Sequence, residues 1–255
     1  MTEAIKYVGQ PLRRREDFKF VTGKGRYTDD LKAPGMLHMA VLRSPHAHAN
    51  IKQVDLSAAK AAPGVRLALS GADLAGNIGS IVPNWIMPGT KVPDRPVVAI
   101  DRVRFVGECV ALVVAESQAM AHDAIGLMDV DYETLPAVVD EEAAIREGAP
   151  QLHDNVPNNI TTVYKVGGGD YKKAAREADH VISLRVANNR LIPTCMETRS
   201  ILAEPNVDGT LTVHLQSQVP HMHRRWIADT VGIPEHQLRI VAPDIGGGLD
   251  RKSVV

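Results

Sequence analysis

The stretch "MLHMAVLR", Met36 to Arg43, carries apolar side chains at odd and even positions alike. A strand of that pattern has no solvent face, so it predicts burial on both sides. The means for that burial exist. With 255 residues, 44% of them apolar, the chain suffices for one large domain or two ordinary ones, each with a sizeable core.

The surrounding segments predict more strands and helices. "VGECVALVVAES" supplies an apolar strand over Val110–Ala115. A helix over Gln118–Leu127, capped by Ser117, and a return strand over Met128–Glu133 follow it. That succession fits a βαβ crossover. "DLSAAKAAPG" reads as a short helix capped by Ser57 and stopped by Pro63-Gly64. Residues 71–97, rich in Gly, Pro, Asn and Asp, read as a long excursion. Residues 1–140 are therefore expected to form a small mixed α and β domain, and the polar stretch 141–160 a linker.

Beyond the linker, Asp170 caps a helix ending near Ala178, and "HVISLRVAN" alternates like a strand. "RSILAEPN" and "LTVHLQSQ" read as strands joined by the turn "VDGT". "VPHMHRRWIADTVGI" is a helix with Pro220 in its first turn and Gly232 at its stop. "QLRIVAPD" is a last strand that runs into Gly246-Gly247-Gly248. Residues 161–249 thus read as a β-rich unit that lacks its other half.

Composition excludes several function classes. Net charge is -1 and the isoelectric point about 6.8, which argues against nucleic acid or an anionic membrane as partner. The basic run Arg13–Arg15 is neutralised at once by Glu16 and Asp17. Two distant cysteines, Cys109 and Cys195, make neither a disulfide framework nor an iron–sulfur or zinc site. No window approaches eighteen apolar residues and the N-terminus shows no secretory h-region, so no membrane span and a cytoplasmic setting are expected.

The candidate chemistry is sparse. Three glycines after a strand either relieve a strained turn or let backbone amides approach an anion. Gln218, at a strand end before Pro220, offers one acceptor and two donors, or is an ordinary polar residue. The pairs His46/His48 and His221/His223 resemble metal-ligand spacing, but i and i+2 share no face on a helix. Cys109 and Cys195 read as inert small hydrophobes rather than nucleophiles. Glu197 and Arg199 share a face if their segment is extended, either as a buried pair positioning a loop or as a surface pair. No Ser–His–Asp set, supported carboxylate pair or dinucleotide fingerprint is present.

The order and wording of the segments say more than the motifs. "TGKGRYTDD", "MLHMAVLRSPHAHA", "VRFVGECVALVVAES", "VDYETLPAVVD", "NRLIPTCMETR", "LQSQVPH" and "PDIGGG" follow one another here. Together they resemble the large, molybdopterin-binding subunit of the xanthine dehydrogenase / aldehyde oxidase / aerobic carbon monoxide dehydrogenase family. The likeness runs from about Gly9 to Gly248. It implies an α+β fold, with an a/b hammerhead domain over 1–140 and the truncated start of a molybdopterin-binding domain over 161–249.

By that resemblance Gln218 lies beside molybdenum and hydrogen-bonds an oxo ligand, while Gly246, Gly247, Gly248 and Leu249 line the cofactor. The implied cofactor is molybdopterin with molybdenum, in the cytosine dinucleotide form. FAD and 2Fe-2S centres are implied on partner subunits, a medium flavin subunit and a small iron–sulfur subunit, with the large subunits paired as a homodimer. The implied reaction is oxidation of CO, an aldehyde or an N-heterocycle with oxygen from water. The general-base glutamate of that family has no counterpart in this sequence, so the chain alone is expected to be inactive. A cofactor-free binding or assembly module is the alternative.

Leu249 and Asp250 depart from the Phe-Gly of the family turn, and Cys109 from its usual proline. Residues 250–255 read as a non-native tail. Asp-Arg-Lys-Ser-Val-Val followed by a stop is what the sequencing-adapter string GAT CGG AAG AGC GTC GTG TAG encodes, and Leu249 then begins as part of a Phe codon.

Overall fold

The computed structural model describes residues 7–83, 85–192 and 194–247. In chain order the elements are α1 (Asp17–Val21), β1 (His38–Arg43), β2 (Ala49–Asp55), α2 (Ser57–Ala61), β3 (Val65–Ser70), α3 (Gly71–Leu74), β4 (Arg102–Val103), β5 (Cys109–Ala115), α4 (Gln118–Ile125), β6 (Asp129–Thr134), α5 (Glu141–Ala144), α6 (Tyr171–Glu177), β7 (Ile201–Pro205), β8 (Leu211–Leu215), α7 (Pro220–Val231) and β9 (Leu238–Val241). They fall into two compact units. One comprises residues 34–192 and 226–234, the other the described residues of 1–33, 193–225 and 235–255.

In the first unit β5 is the central strand of an antiparallel sheet of order β1-β5-β3. Its alternate residues serve two cores. Ala111, Val113 and Ala115 pack with Ala40, Ala68, Leu56 and the helix residues Ala59, Ala121 and Ala124. Val110 packs instead with Ala49, Ala99 and Val103. A strand with both faces inside needs an uninterrupted apolar run, and β5 has one. β1 does not take that place. Only Ala40 of β1 is buried, and Met39 is 56% exposed. The burial on both faces expected of Met36–Arg43 is thus corrected, because β1 is an edge strand with one covered face.

Alanines dominate where α2 and α4 meet this sheet, which lets helix and strand backbones approach closely. Ser117 caps α4 as expected, its Oγ accepting the Met120 N–H at 3.2 Å. The cap of α2 is not Ser57. Ser57 lies inside the first turn, and its amide and hydroxyl both donate to the Asp55 carboxylate, the amide at 2.9 Å. The Ser57 hydroxyl bond, then the amide bond, holds the Asp55 carboxyl below the usual carboxylate range.

A second antiparallel sheet has the order β4-β2-β6. The crossover expected between the strands flanking α4 is therefore absent: β5 and β6 lie in different sheets. The reason is visible in β6, where only Val130 and Tyr132 face a core and the residues between them are exposed. A strand wet on one face does not enter a doubly covered parallel sheet.

A crossover instead joins two strands of the other unit. There the sheet order is β7-β8-β9, with β7 and β8 an antiparallel hairpin whose turn uses Gly209 at φ +82°. β8 and β9 are parallel and α7 connects them. Gly232 ends α7 with φ +76°, its N–H donating to Ala228 O at 2.9 Å.

One expected strand does not form. Residues 179–192, containing "HVISLRVAN", adopt no regular structure, and Ile182, Leu184 and Val186 are 90%, 81% and 74% exposed. Alternation creates an apolar face, but a strand also needs a hydrogen-bonded neighbour, and no described strand pairs with this segment. Among the described residues no helix is long and apolar enough to cross a membrane.

The assignment of β5 as the buried strand makes a prediction. Val113→Ala removes two buried carbons and costs about 2 kcal/mol. Met39→Ala on β1 costs about 0.5 kcal/mol or less. Urea denaturation of both variants is the measurement, and a larger loss for Met39→Ala would reverse the assignment.

Candidate functional site

Parallel strands end on the same side of a sheet. β8 and β9 pair from Leu211↔Leu238 to His214↔Val241, so the segments that follow them leave together. β7 runs the other way and begins at that end, with Ile201 opposite Leu215. Three segments therefore converge: 195–200 before β7, 216–219 after β8 and 242–247 after β9. The carboxyl ends of parallel strands are where open α/β sheets bind ligands.

The segment after β8 is tied down on both sides of Gln218. Gln216 is buried; its Oε1 accepts the Ser200 N–H at 3.0 Å, and its Nε2 donates to Thr198 O at 2.5 Å and Ser200 Oγ at 2.8 Å. Ser217 is buried too. Its Oγ accepts the Val219 N–H at 3.1 Å and lies 2.8 Å from His223 Nδ1. Gln218, between the bonded residues Ser217 and Val219, is exposed, and its carboxamide is carried by a held backbone. The sequence singles out Gln218 but not Gln216 and Ser217, whose importance lies in partners sixteen or more and six residues away.

The segment after β9 is held from two directions. Asp244 accepts from Lys19 Nζ at 2.6 Å and from the Arg26 N–H at 2.7 Å, and its own N–H donates to Arg26 O at 3.1 Å. Lys19, then the Arg26 amide, keeps the Asp244 carboxyl below the usual carboxylate range. On the other side Gly246 donates its N–H to Glu197 Oε2 at 2.6 Å, and the Glu197 N–H returns a bond to Gly246 O at 3.1 Å.

Both described glycines of the turn are required by space. A Cβ on Gly246 would stand 2.7 Å from Glu197 Cβ and 3.2 Å from the Tyr27 ring. A Cβ on Gly247 would stand 3.0 Å from Cys195 Cβ, and Gly247 also has φ +128°, which L side chains rarely adopt. Gly248, Leu249 and the tail 250–255 lie outside the described residues.

The remaining candidates take local places. His48 is buried with Nδ1 2.8 Å from Pro136 O, and His46 meets the Tyr132 ring edge-on at 4.9 Å. His223 is the buried partner of Ser217, and His221 precedes it on α7. Among the described residues no group of three or more His, Cys, Asp or Glu is arranged to hold a metal. Burial pushes the Cys109 thiol up, which keeps it protonated. In the other unit a cleft of about 490 Å³ is lined by residues including Asp94, Asp101, Arg104 and His153. Burial and the nearby Arg104 push the His153 ring down. None of Gln218, Gly246 and Gly247 lines that cleft.

Comparison with known proteins decides what this arrangement belongs to. Residues 22–136 match the aldehyde oxidase and xanthine dehydrogenase a/b hammerhead domain, and residues 152–254 match the molybdopterin cofactor-binding domain. The chain belongs to the xanthine dehydrogenase / aldehyde oxidase / carbon monoxide dehydrogenase family. It is 35% identical to the nicotine 6-hydroxylase large subunit of Paenarthrobacter nicotinovorans, over 97% of this chain and 30% of that protein. It is 36% identical to the carbon monoxide dehydrogenase large chain of Afipia carboxidovorans, over 98% of this chain and 32% of that one. Among solved structures, quinoline 2-oxidoreductase from Pseudomonas putida 86 superposes with a TM-score of 0.87 at 38% identity. That match covers 93% of this chain and 30% of the other. The chain thus spans about 30% of the length of the relatives it matches. The α+β family fold, hammerhead followed by molybdopterin-binding region, is the fold expected from the resemblance.

Two tests follow from the turn. The folded Asp244 has a pKa below its unfolded value of 3.8, so its stabilisation is complete above that value and is lost as pH falls through the folded pKa. Asp244→Asn removes this dependence; its stability should fall less steeply below pH ~4 than that of the parent chain, measured by urea titration at successive pH values. Gly246→Ala should cost about 1–3 kcal/mol, because a methyl group must displace Glu197. An unchanged melting temperature would refute the close packing.

Proposed function

We propose that this chain acts as the N-terminal part of a molybdenum hydroxylase large subunit, with molybdopterin seated at the common end of β8 and β9. The carrying observation is the glycine turn at that end, where Gly246 is anchored and Gly247 follows it. A Cβ on Gly246 would collide with Glu197, one on Gly247 would press on Cys195, and Gly247 has left-handed backbone. Such a surface suits close approach by a large anionic group. An exposed carboxamide on a fixed loop suits hydrogen bonding to polar atoms of that group. The residues present fit a metal that arrives with its own dithiolene ligands and needs only outer partners from the protein.

In this reading Gly247, Gly248 and Leu249 border the pterin, Gly246 anchors the turn, and Gln218 donates toward the metal side of the cofactor. The bound cofactor supplies the redox centre at which a substrate is oxidised with oxygen from water. The chain's own residues hold and orient it. The chemistry of the relatives extends the proposal to substrate class: CO, an aldehyde or an N-heterocycle, matching proteins named for carbon monoxide, nicotine and quinoline. Electrons leave through 2Fe-2S and FAD carried on small and medium partner subunits, large subunits pair as a homodimer, and the pterin is the cytosine dinucleotide. The setting is cytoplasmic, and the chain alone is inactive.

The test extends the reading frame at its genomic locus to the relatives' length and co-expresses it with the neighbouring subunit genes. The purified complex should carry molybdenum and reduce a dye with one of these substrate classes. Gln218→Ala should lower turnover about tenfold to a hundredfold while molybdenum content and melting temperature hold. A complex without molybdenum would instead favour a cofactor-free assembly module.

A further inference from the structure

The glycine turn offers backbone amides, and the structure has already used that of Gly246. Gly246 N–H points at Glu197 Oε2, 2.6 Å away, and Gly246 O accepts the Glu197 N–H at 3.1 Å. One residue therefore grips Gly246 twice, by backbone and by side chain. The grip is tight: the space a Gly246 Cβ would need is already occupied by Glu197 Cβ, 2.7 Å from its position. Two residues earlier on the same segment, Cys195 closes on Gly247 in the same way, at 3.0 Å. The segment 195–197 is thus a bed on which successive glycines lie.

We infer that Glu197 is the positioning residue of the turn, and that its carboxylate withdraws Gly246 from ligand binding so that Gly247 is the first glycine presented to the cofactor. A carboxylate suits the task. Its Oε2 takes up the Gly246 N–H at 2.6 Å and so prevents that amide from turning toward a competing anion. The carboxylate has a second effect. Placed beside an anionic cofactor it disfavours seating of the ligand against Gly246, which defines where the ligand stops. Asp244 holds the other side of the same turn through Lys19 and Arg26, so that Gly246 is fixed between two acidic residues with separate partners. The inference rests on the reading that this turn faces molybdopterin, but the grip itself does not.

Amide hydrogen exchange tests the grip without cofactor. In the 255-residue chain, Gly246 exchange is read relative to the amides of β9, which report whether the sheet remains folded. Glu197→Ala and Glu197→Leu remove the acceptor, the second while filling the space, and whichever retains β9 protection is used. Gly246 should exchange at least about tenfold faster in that variant. Glu197→Gln keeps an acceptor oxygen at the same reach and should stay within about threefold of the parent. Unchanged Gly246 exchange without the acceptor, or a Gln variant as fast as the Leu variant, overturns the assignment. The cofactor reading is separated by a second measurement in the extended complex. There the acceptor-less variant should lose molybdenum content several-fold and Glu197→Gln should retain it. Faster Gly246 exchange with undiminished molybdenum would leave the grip standing and remove the turn from the cofactor site.

Discussion

Two strands running the same way must finish on the same side, and the second unit depends on this. Because β8 and β9 are parallel neighbours, the loop that carries Gln218 and the loop that carries the glycines emerge side by side. An antiparallel pairing would have sent them to opposite ends. The crossover helix α7 makes the parallel pairing possible, and its start at Pro220 and stop at Gly232 set where the two loops begin. Everything proposed about the site follows from that connection.

Each loop of the candidate site is held by hydrogen bonds to neighbouring segments. Gln216 and Ser217 spend their polar groups inside, on Thr198, Ser200, Val219 and His223. Asp244 and Glu197 hold the glycine turn from opposite sides. Buried polar groups with complete partners fix a backbone more firmly than apolar packing alone, since any slip leaves a donor or acceptor unmet in a dry place. Gln218, next in the chain after Ser217, is exposed.

What was legible in the sequence was local. The caps Ser117 and Asp170, the hairpin at "VDGT", and the limits of α7 stand where turn and cap chemistry placed them. Partnerships between distant strands were not legible. β5 and β6 flank one helix yet join different sheets, and the crossover sits instead around α7. "HVISLRVAN" has the alternation of a strand without a neighbour to bond to. The doubly buried strand proved to be β5 and not β1, because two apolar faces on an edge strand do not by themselves attract a second layer. In the candidate site, block resemblance singled out Gln218 and the glycines as candidates. It was silent on Asp244 and Glu197 as anchors, because their partners lie up to 225 residues away in sequence.

That separation has a kinetic consequence. The bonds from Lys19 and Arg26 to Asp244 close loops of 225 and 218 residues, among the most remote pairings a chain of 255 can make. Contacts so distant along the chain carry the largest closure entropy and form slowly. During synthesis Lys19 is made 225 residues before its acceptor Asp244 exists. The glycine turn therefore closes after the hammerhead sheets, whose pairings are nearer in sequence, have formed. A cofactor seated there would meet a protein already folded elsewhere.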